Sequence, residues 1–353
     1  MIKRKLDEFL RKALVNYDLP GLAVGIGIGE KSRNKNAGLG YCNAVGYKDF
    51  ETKEPLDTEH IFHMASVTKL FVGTSILQLW EQGKIDLDGL LIDYLPWFRM
   101  EDERYQRITI RQLLSHTSGM PDVTDYHWDQ PETDEGALER YVRSEEVTNF
   151  YLLWDPEEKK FAYSNIGYEI LGAVIAGISG MPFEQYVKKN IFDPLKMKNS
   201  SLLTFERGIY DPNGKAANLC TPHKKNEEKK IVRVEHFPYN RAHGPSSTLT
   251  SNLFDMEKWA LSHLHHEILK KETYDVAWEK HAHIENNGED MCLSWFCREQ
   301  GGFTLYGHEG TDDGFRASFW ICPALDISIV ACSNLSGAPV KQIGKKIFEV
   351  LTL

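Results

Sequence analysis

The stretch His63-Met64-Ala65-Ser66-Val67-Thr68-Lys69 stands directly before an apolar, helix-favouring run from Leu70 to Trp80. This order predicts a helix that begins near Ser66 and carries Lys69 on the same face, three residues further along. The lysine amine would then reach the serine hydroxyl. Unpaired N–H groups at a helix start favour negative charge there, and burial disfavours the ammonium form of Lys69. The stretch therefore predicts a nucleophilic serine with its own base.

The Ser-x-x-Lys spacing has a second match and a purely structural interpretation. Ser32-Arg33-Asn34-Lys35 has the same spacing, but it lies in the polar segment Gly29 to Asn36, which is typical of a loop tip. Alternatively, Ser66 is only the N-cap of the helix, and Lys69 is a solvated residue of the first turn. The stretch by itself leaves both interpretations open.

The composition is that of an ordinary globular chain and excludes one class of partner. The chain has 353 residues, of which 42% are hydrophobic and 26% are charged, enough for two lobes. Its formal net charge of -10 disfavours binding to a phosphate backbone, and acidic residues interrupt its densest basic run, 224–230. We therefore expect a small-molecule substrate and no nucleic acid.

Cysteine usage and hydropathy indicate the compartment. The six cysteines include no Cys-x-x-Cys pair, which indicates neither a zinc site nor a disulfide framework. Residues 3–12 are amphipathic without the apolar core of a signal peptide, and the longest apolar runs are too short to cross a bilayer. We expect a cytoplasmic protein with no membrane span, and we leave open export by a missing leader and the oligomeric state.

Two groups of histidines are candidates for a metal site. They are His263, His265 and His266, and the pair His281 and His283. Neither group has His-Glu-x-x-His spacing or an accompanying cysteine cluster. We interpret them as surface residues and predict no metal and no cofactor.

The order of predicted elements indicates an α+β fold. Strands are predicted near both chain ends and helices between them, so one antiparallel sheet would be built from both ends, flanked by helices, with an inserted, mostly helical lobe. The predicted sheet domain comprises residues 1–82 and 284–353, and the helical domain comprises 83–283. The predicted strands are Leu22 to Ile28, Asn43 to Tyr47, Asp290 to Arg298, Phe303 to Gly307, Phe315 to Cys322 and Ile327 to Ser333.

A second candidate motif, Tyr163-Ser164-Asn165, precedes the strongly apolar helix predicted for 166–178. A tyrosine there could pass a proton between the serine, the leaving group and Lys69. A free phenol titrates at about pH 10, so it would need a neighbouring cation to act near neutral pH. Tyr41-Cys42-Asn43 has the same spacing, but at a strand entry. In the alternative interpretation, Tyr163 is a core aromatic and Asn165 caps the helix.

A third candidate motif, His308-Glu309-Gly310-Thr311, ends the predicted strand Phe303 to Gly307. His308 and Gly310 would share one face of the strand, where the glycine permits a close backbone approach. A backbone N–H near Thr311, together with that of Ser66, could hold an oxyanion. The alternative is a strand-end histidine beside a turn glycine.

Taken in order, the three motifs resemble those of the serine β-lactamase and penicillin-binding-protein superfamily. The resemblance is to the branch of class C β-lactamases, DD-peptidases and related carboxylesterases. It extends over nearly the whole chain and includes Leu113 to Gly119, a segment frequent in that branch, and the stretch from Gly244 to Trp259. It implies a β-lactamase/transpeptidase-like fold and acyl transfer through a covalent acyl-enzyme that water then hydrolyses.

The resemblance also implies a role for each site residue, although it leaves open which group first deprotonates the serine. Ser66 would be the acylated nucleophile, Lys69 its proton acceptor and Tyr163 the partner acid/base. The substrate-binding and oxyanion positions would be Asn165, as a ligand of the substrate amide or of Lys69, and His308, Gly310 and Thr311.

His308 is the informative departure, because true β-lactamases usually carry lysine at that place. A permanent cation suits the carboxylate of β-lactams, whereas a mostly neutral imidazole attracts it weakly. We therefore expect a carboxylesterase or a D-amino-acid peptidase or amidase, acting on a small ester or amide. The alternative is a penicillin-binding DD-peptidase or class C-like β-lactamase with a β-lactam substrate, and a catalytically silent binding scaffold is the third hypothesis.

Overall fold

The strands come mainly from the two ends of the chain. The computed structural model describes residues 2–29, 38–209 and 218–352. In chain order, the strands are β1 (Gly21–Ile28), β2 (Gly38–Asp49), β3 (Glu54–Pro55), β4 (Phe62–His63), β5 (His223–Lys225), β6 (Ile231–Arg233), β7 (Thr250–Ser251), β8 (Ala282–Ile284), β9 (Glu289–Met291), β10 (Phe296–Gln300), β11 (Phe303–Asp312), β12 (Phe315–Cys322) and β13 (Ile327–Ser333).

The α-helices lie at both termini and throughout the middle of the chain. They are α1 (Ile2–Asn16), α2 (Thr68–Glu81), α3 (Leu91–Tyr94), α4 (Ile110–Leu114), α5 (Ala137–Val142), α6 (Glu145–Thr148), α7 (Asn165–Ser179), α8 (Phe183–Val187), α9 (Gly244–Ser247), α10 (Leu253–Leu264), α11 (Lys271–Ala277) and α12 (Val340–Thr352). Asn252 caps α10 by accepting a hydrogen bond from the backbone N–H of Asp255.

One large sheet organises the described part of the chain. Its nine strands follow the order β3-β2-β1-β13-β12-β11-β10-β9-β8, and all neighbours are antiparallel. Strand β1 pairs with β2 on one side and with β13 on the other. The α+β class and the antiparallel sheet from both chain ends are confirmed. The division into domains at residues 82 and 284 stays a prediction.

Helices cover both faces of the sheet, since each face is apolar. On one face, Leu6 and Leu10 of α1 and Ile343 of α12 pack with Trp320 of β12 in one buried cluster. On the other face, α10 packs on β1 and β13. The buried α2 stacks on α10 through Phe71 and Trp259, whose ring centroids are 3.9 Å apart. This stacking anchors the helix that begins at the Ser-x-x-Lys motif.

Strand β2 (Gly38–Asp49) is longer than the predicted Asn43 to Tyr47, and two further differences lie in β9 to β11. Strand β11 does not end at Gly307 but continues to Asp312, because residues 308–312 pair with β12. The predicted strand Asp290 to Arg298 is divided into β9 and β10, because Ser294 adopts a left-handed φ of 69° between them. Both differences arise from pairing and backbone geometry that side-chain periodicity does not report.

The competing Tyr-x-Asn match lies in a different strand from the candidate site. Tyr41 and Asn43 are in β2, where both side chains bond to Asp7 of α1. The second Ser-x-x-Lys match, residues 32–35, lies outside the described residues.

Within the ranges that the structure describes, no single helix is long and apolar enough to span a membrane. The bent pair Asn165–Ser179 and Phe183–Phe192 together reaches the required length and composition.

Candidate active site

Ser66 lies in a sharp turn between a short strand and a buried helix. The 3-10 turn Ala65–Val67 follows β4 and leads directly into α2. Ala65 has a left-handed φ of 47°, a conformation that costs an L-residue about 1–2 kcal/mol. The cap positions of the two helical segments are occupied by Met64 and Val67, and neither side chain caps. Ser66 is therefore not the N-cap.

Lys69 is fully buried behind Ser66 and has three hydrogen-bond partners. Its Nζ lies 3.1 Å from Ser66 Oγ, 2.5 Å from Asn165 Oδ1 and 2.8 Å from the backbone oxygen of Ser246. Burial lowers the pKa of Lys69 to about 8, although nearby carboxylates oppose this shift. The neutral amine is therefore accessible near neutral pH. The opposing carboxylates are Glu169, Asp122 and Asp312.

Tyr163 lies against both members of the Ser-x-x-Lys pair. Its ring centroid is 5.0 Å from Lys69 Nζ. Burial raises the pKa of Tyr163 well above its usual range, and the side chain of Ser66 opposes that shift. The phenol is therefore protonated at neutral pH, which makes it a proton donor in the resting site.

His116 holds the backbone on both sides of Tyr163. Its carbonyl accepts a hydrogen bond from the N–H of Ala162 at 2.8 Å, and its Nδ1 accepts one from the N–H of Ser164 at 3.1 Å. The imidazole also packs on Tyr163, with ring centroids 4.4 Å apart. His116 belongs to the Leu113 to Gly119 segment. The sequence singled out that segment without indicating what it does.

Asn165 connects Lys69 to a loop carboxylate. Its Nδ2 donates to Asp122 Oδ1 at 2.9 Å, so its Oδ1 faces Lys69, and its backbone N–H donates to the same carboxylate oxygen at 2.7 Å. Ser164 caps α7 by accepting from the N–H of Gly167, so Asn165 is not the cap. No motif marked Asp122, which lies in a polar loop.

Strand β11 lies directly against the turn that carries Ser66. A Cβ added to Gly310 would lie 2.2 Å from the backbone oxygen of Met64, so this approach requires glycine. His63 and Asp312 join the same two segments through an Nε2–Oδ2 contact of 2.8 Å.

We expect Gly310→Ala to destabilise the protein by about 1–3 kcal/mol. The added methyl group would clash with the backbone oxygen of Met64, which cannot move aside as the end of a flexible side chain can. Urea unfolding measures the loss. The matched control is Gly177→Ala in α7, where the added Cβ would meet Leu95 at an ordinary 3.5 Å. Equal stability of the two variants would contradict the proposed packing constraint.

His308 is buried, and its hydrogen bonding defines its tautomer. Nδ1 lies 2.6 Å from the backbone oxygen of Glu309, which can only accept, so Nδ1 carries the hydrogen. Nε2 is then a lone-pair acceptor, and it has no partner among the residues described. Burial, together with the nearby charge of Lys69, lowers the pKa of His308 to about 3. The imidazole is therefore neutral at neutral pH.

A pocket of about 380 Å³ opens on these side chains. Lys69 lies beneath its floor, and Gly310 faces Met64 instead of the pocket. Tyr126, from the segment 121–135 that is rich in polar residues, contributes to the pocket wall. The lining also includes an ion pair between Glu289 and Lys341, at 2.7 Å, that no motif signalled. The lining residues are Ser66, Tyr126, Tyr163, Asn165, Asn287, Glu289, Phe296, His308, Glu309, Thr311 and Lys341.

The expectation that all five clustered histidines lie at the surface is wrong for His263. That side chain is fully buried, and its Nδ1 lies 2.9 Å from the hydroxyl of Tyr274. Its ring packs between Trp259 and Trp295. Its periodic position in α10, one turn after Trp259, accounts for the burial.

Comparisons with known proteins agree over almost the whole chain. A family model described as Beta-lactamase matches residues 6–352. Protein flp of Staphylococcus aureus (strain MW2) is 24% identical over 352 residues, which cover 97% of this chain and 65% of that protein. The chain thus spans about 65% of the length of this curated relative.

Solved structures share the fold. The octameric penicillin-binding protein homologue from Pyrococcus abyssi gives a TM-score of 0.84 at 23% identity, covering 99% of this chain and 77% of that one. D-amino acid amidase from Ochrobactrum anthropi SV3, complexed with L-phenylalanine amide, gives 0.79 at 18% identity, covering 98% of each chain. The match of the family model from residue 6 to residue 352 shows that this chain belongs to the Beta-lactamase family.

Proposed function

We propose that this protein is a serine hydrolase that forms a covalent acyl-enzyme on Ser66 and acts on small esters or amides. One observation carries the proposal: Ser66 Oγ, at the wall of a pocket, lies 3.1 Å from the amine of a fully buried lysine. A serine hydroxyl needs such a base to become a nucleophile.

Acylation would begin with proton transfer from Ser66 to the neutral amine of Lys69. The oxygen of Ser66 then attacks the substrate carbonyl carbon, and the resulting oxyanion is held by backbone N–H groups of Ser66 and Thr311. Tyr163 gives its proton to the leaving group and recovers one from the Lys69 ammonium, so the proton count balances. The high pKa of Tyr163 supports this order, because it makes the phenol a donor before it can act as a base.

Hydrolysis would use the same groups in reverse. Water enters where the leaving group was and attacks the acyl carbon, while Tyr163 accepts a proton from the water and passes its own proton to the neutral amine of Lys69. The ester bond to Ser66 then breaks, and the serine oxygen regains its proton from the Lys69 ammonium. Asn165 keeps Lys69 aligned throughout, since its oxygen lies 2.5 Å from Nζ.

The protonation state of His308 supports an ester or amide substrate over a β-lactam. A neutral imidazole with a free Nε2 lone pair can accept a hydrogen bond from a substrate N–H or O–H group. It offers no charge to a carboxylate. The D-amino acid amidase is a structural neighbour, which makes D-amino acid amides the first amide substrates to test.

A penicillin-recognising activity is the second candidate, and Lys341 favours it. Its amine lies within the same pocket, although Glu289 already pairs with it at 2.7 Å. A substrate carboxylate would have to compete with Glu289 for this cation. We therefore rank the β-lactam class second.

Mass spectrometry tests the nucleophile and the substrate class together. After brief exposure to p-nitrophenyl butyrate, we expect a butyryl adduct on the peptide that contains Ser66, and none in Ser66→Ala. Benzylpenicillin should leave little adduct under the same conditions, and D-phenylalanine amide should be hydrolysed. A stable penicilloyl adduct on Ser66 would move the assignment to the second candidate. Failure of every acylating probe to label Ser66 would contradict the proposal and support a binding scaffold.

A further inference from the structure

A carboxylate and an imidazole are paired deep inside the protein, outside the residues of the three motifs. Glu169 of α7 and His243 both have fully buried side chains, and Glu169 Oε1 lies 3.2 Å from His243 Nδ1. Aromatic rings enclose the imidazole, with centroids of Tyr126, Trp128 and Tyr141 at 5.0, 6.2 and 4.4 Å. A buried carboxylate is costly unless it is paired, so the pairing itself calls for an explanation.

The chain connects this pair to two of the three partners of Lys69. Glu169 follows Asn165 by four residues on α7 and thus lies on the same face, one turn deeper. His243 precedes Ser246 by three residues, and Ser246 Oγ donates to the His243 carbonyl at 3.3 Å. Asn165 and the Ser246 carbonyl both accept hydrogen bonds from Lys69. The pair therefore forms the layer directly behind the contacts that position the lysine.

The pair is also incompletely bonded. Glu169 Oε2 and His243 Nε2 have no hydrogen-bond partner in the described ranges. If the imidazole carries a proton on both nitrogens, its positive charge offsets the carboxylate, and the two side chains together carry no net charge. If the imidazole cannot be charged, Glu169 is left as a buried negative charge, and it attracts the ammonium form of Lys69.

We propose that Glu169 and His243 act as a positioning pair that sets the proton affinity of Lys69. The carboxylate favours the charged lysine, and the imidazole limits that effect by neutralising the carboxylate. This proposal deepens the proposed function, because it rests on Lys69 being the proton acceptor of Ser66. It gives an otherwise unused buried pair a defined effect on the site.

Several other titratable side chains lie near Lys69 or near the Glu169–His243 pair, and the variants tested below leave all of them unchanged. Two carboxylates, two imidazoles and two phenols lie near Lys69. Phenols lie near the pair, and so do the charged residues that line a cavity of about 170 Å³ beside His243. Around Lys69, these groups are Asp122, Asp312, His116, His308, Tyr163 and Tyr168. Around the pair, they are Tyr126, Tyr141, His127, Glu132, Arg140 and Glu146.

The titration of Lys69 can be read directly by NMR of protein labelled with 13Cε-lysine, and its resonance is identified by its loss in Lys69→Arg. Glu169→Gln keeps the shape of the side chain and removes its charge, so the midpoint should move to lower pH. His243→Asn keeps a donor and removes the possible cation, so the midpoint should move to higher pH. We expect the midpoint of the Lys69 titration to shift by about 0.5–1 pH unit in each variant, which is less than the shift caused by a charge in direct contact with the amine.

Two other buried groups supply matched controls. Glu257→Gln and His263→Asn change a carboxyl bonded to Ser328 and an imidazole bonded to Tyr274, and neither side chain is among the hydrogen-bond partners of Lys69. Neither should move the titration. Glu169→Asp, which retains the charge, should stay near the wild type. If Glu169→Gln does not fold, the upward shift in His243→Asn decides the question.

The two proposals can fail separately. Absence of a shift in the pair variants, or shifts in the same direction, would overturn the positioning pair even if stability or kcat fell. The kcat/KM profile for p-nitrophenyl butyrate should move with the NMR midpoint. If the wild type lacks esterase activity, the proposed function fails in that respect, while the NMR titration still decides whether the pair controls Lys69.

Discussion

Ser66→Ala should lower kcat/KM for p-nitrophenyl butyrate by about 10⁴-fold or more, since loss of an enzyme nucleophile removes the covalent route altogether. Unfolding should be nearly unchanged. Ser66 caps neither helical segment, and Lys69 keeps two other partners, at 2.5 and 2.8 Å. Steady-state hydrolysis and urea unfolding measure the two quantities side by side.

The sequence offers a matched control for this serine. Ser32→Ala changes the other Ser-x-x-Lys match and should retain wild-type activity. Butyryl transfer to any residue other than Ser66 in the wild type would contradict the mechanism. So would a Ser66→Ala variant whose activity stays within tenfold of the wild type.

Replacing Lys69 should have the second-largest effect. Lys69→Arg keeps the charge and the donors, but a guanidinium cannot be deprotonated in this pH range. General-base catalysis contributes typically about 10²–10⁴-fold, so a loss of that size is expected with the fold retained. Lys69→Met should lose as much activity and also stability, by about 1–3 kcal/mol for each buried acceptor left unsatisfied. Those acceptors are Asn165 Oδ1 and the Ser246 carbonyl.

The pH profile of the wild type checks the same assignment. Burial lowers the pKa of Lys69 to about 8, and only the neutral amine can accept the proton of Ser66. The value of kcat/KM should therefore rise with pH, with a midpoint near 8, and this limb should vanish in Lys69→Arg. Retention of the limb in that variant would assign the first deprotonation to another group. His308, with a pKa of about 3, should contribute no step between pH 5 and 9.

Much of the fold followed from local patterns. The predicted β12 and β13 have the observed bounds, Phe315–Cys322 and Ile327–Ser333, because apolar runs between turn signals mark buried strands well. The extension of β11 to Asp312 could not be inferred this way. Residues 308–312 are polar or glycine, and they are extended because β12 supplies their hydrogen bonds.

Only part of the candidate site could be predicted from the sequence. Ser66, Lys69, Tyr163 and Asn165 stood out because their spacing and helix context are local. Asp122, Glu169 and His243 carry no spacing signal, and the segment that contains His116 stood out without indicating its role, since each of these residues acts on a segment far away in sequence. Their contacts with the motif residues, or with the partners of Lys69, exist only after the chain has folded.

The amino-acid order alone determined the helix that presents Ser66 and Lys69 together, the strand-rich termini and the resemblance that agrees with the family. These depend on neighbours within a few residues, where backbone geometry fixes the distances. Only the tertiary structure decided the protonation of Lys69, Tyr163 and His308, because burial and nearby charge come from segments up to about 240 residues apart in the chain.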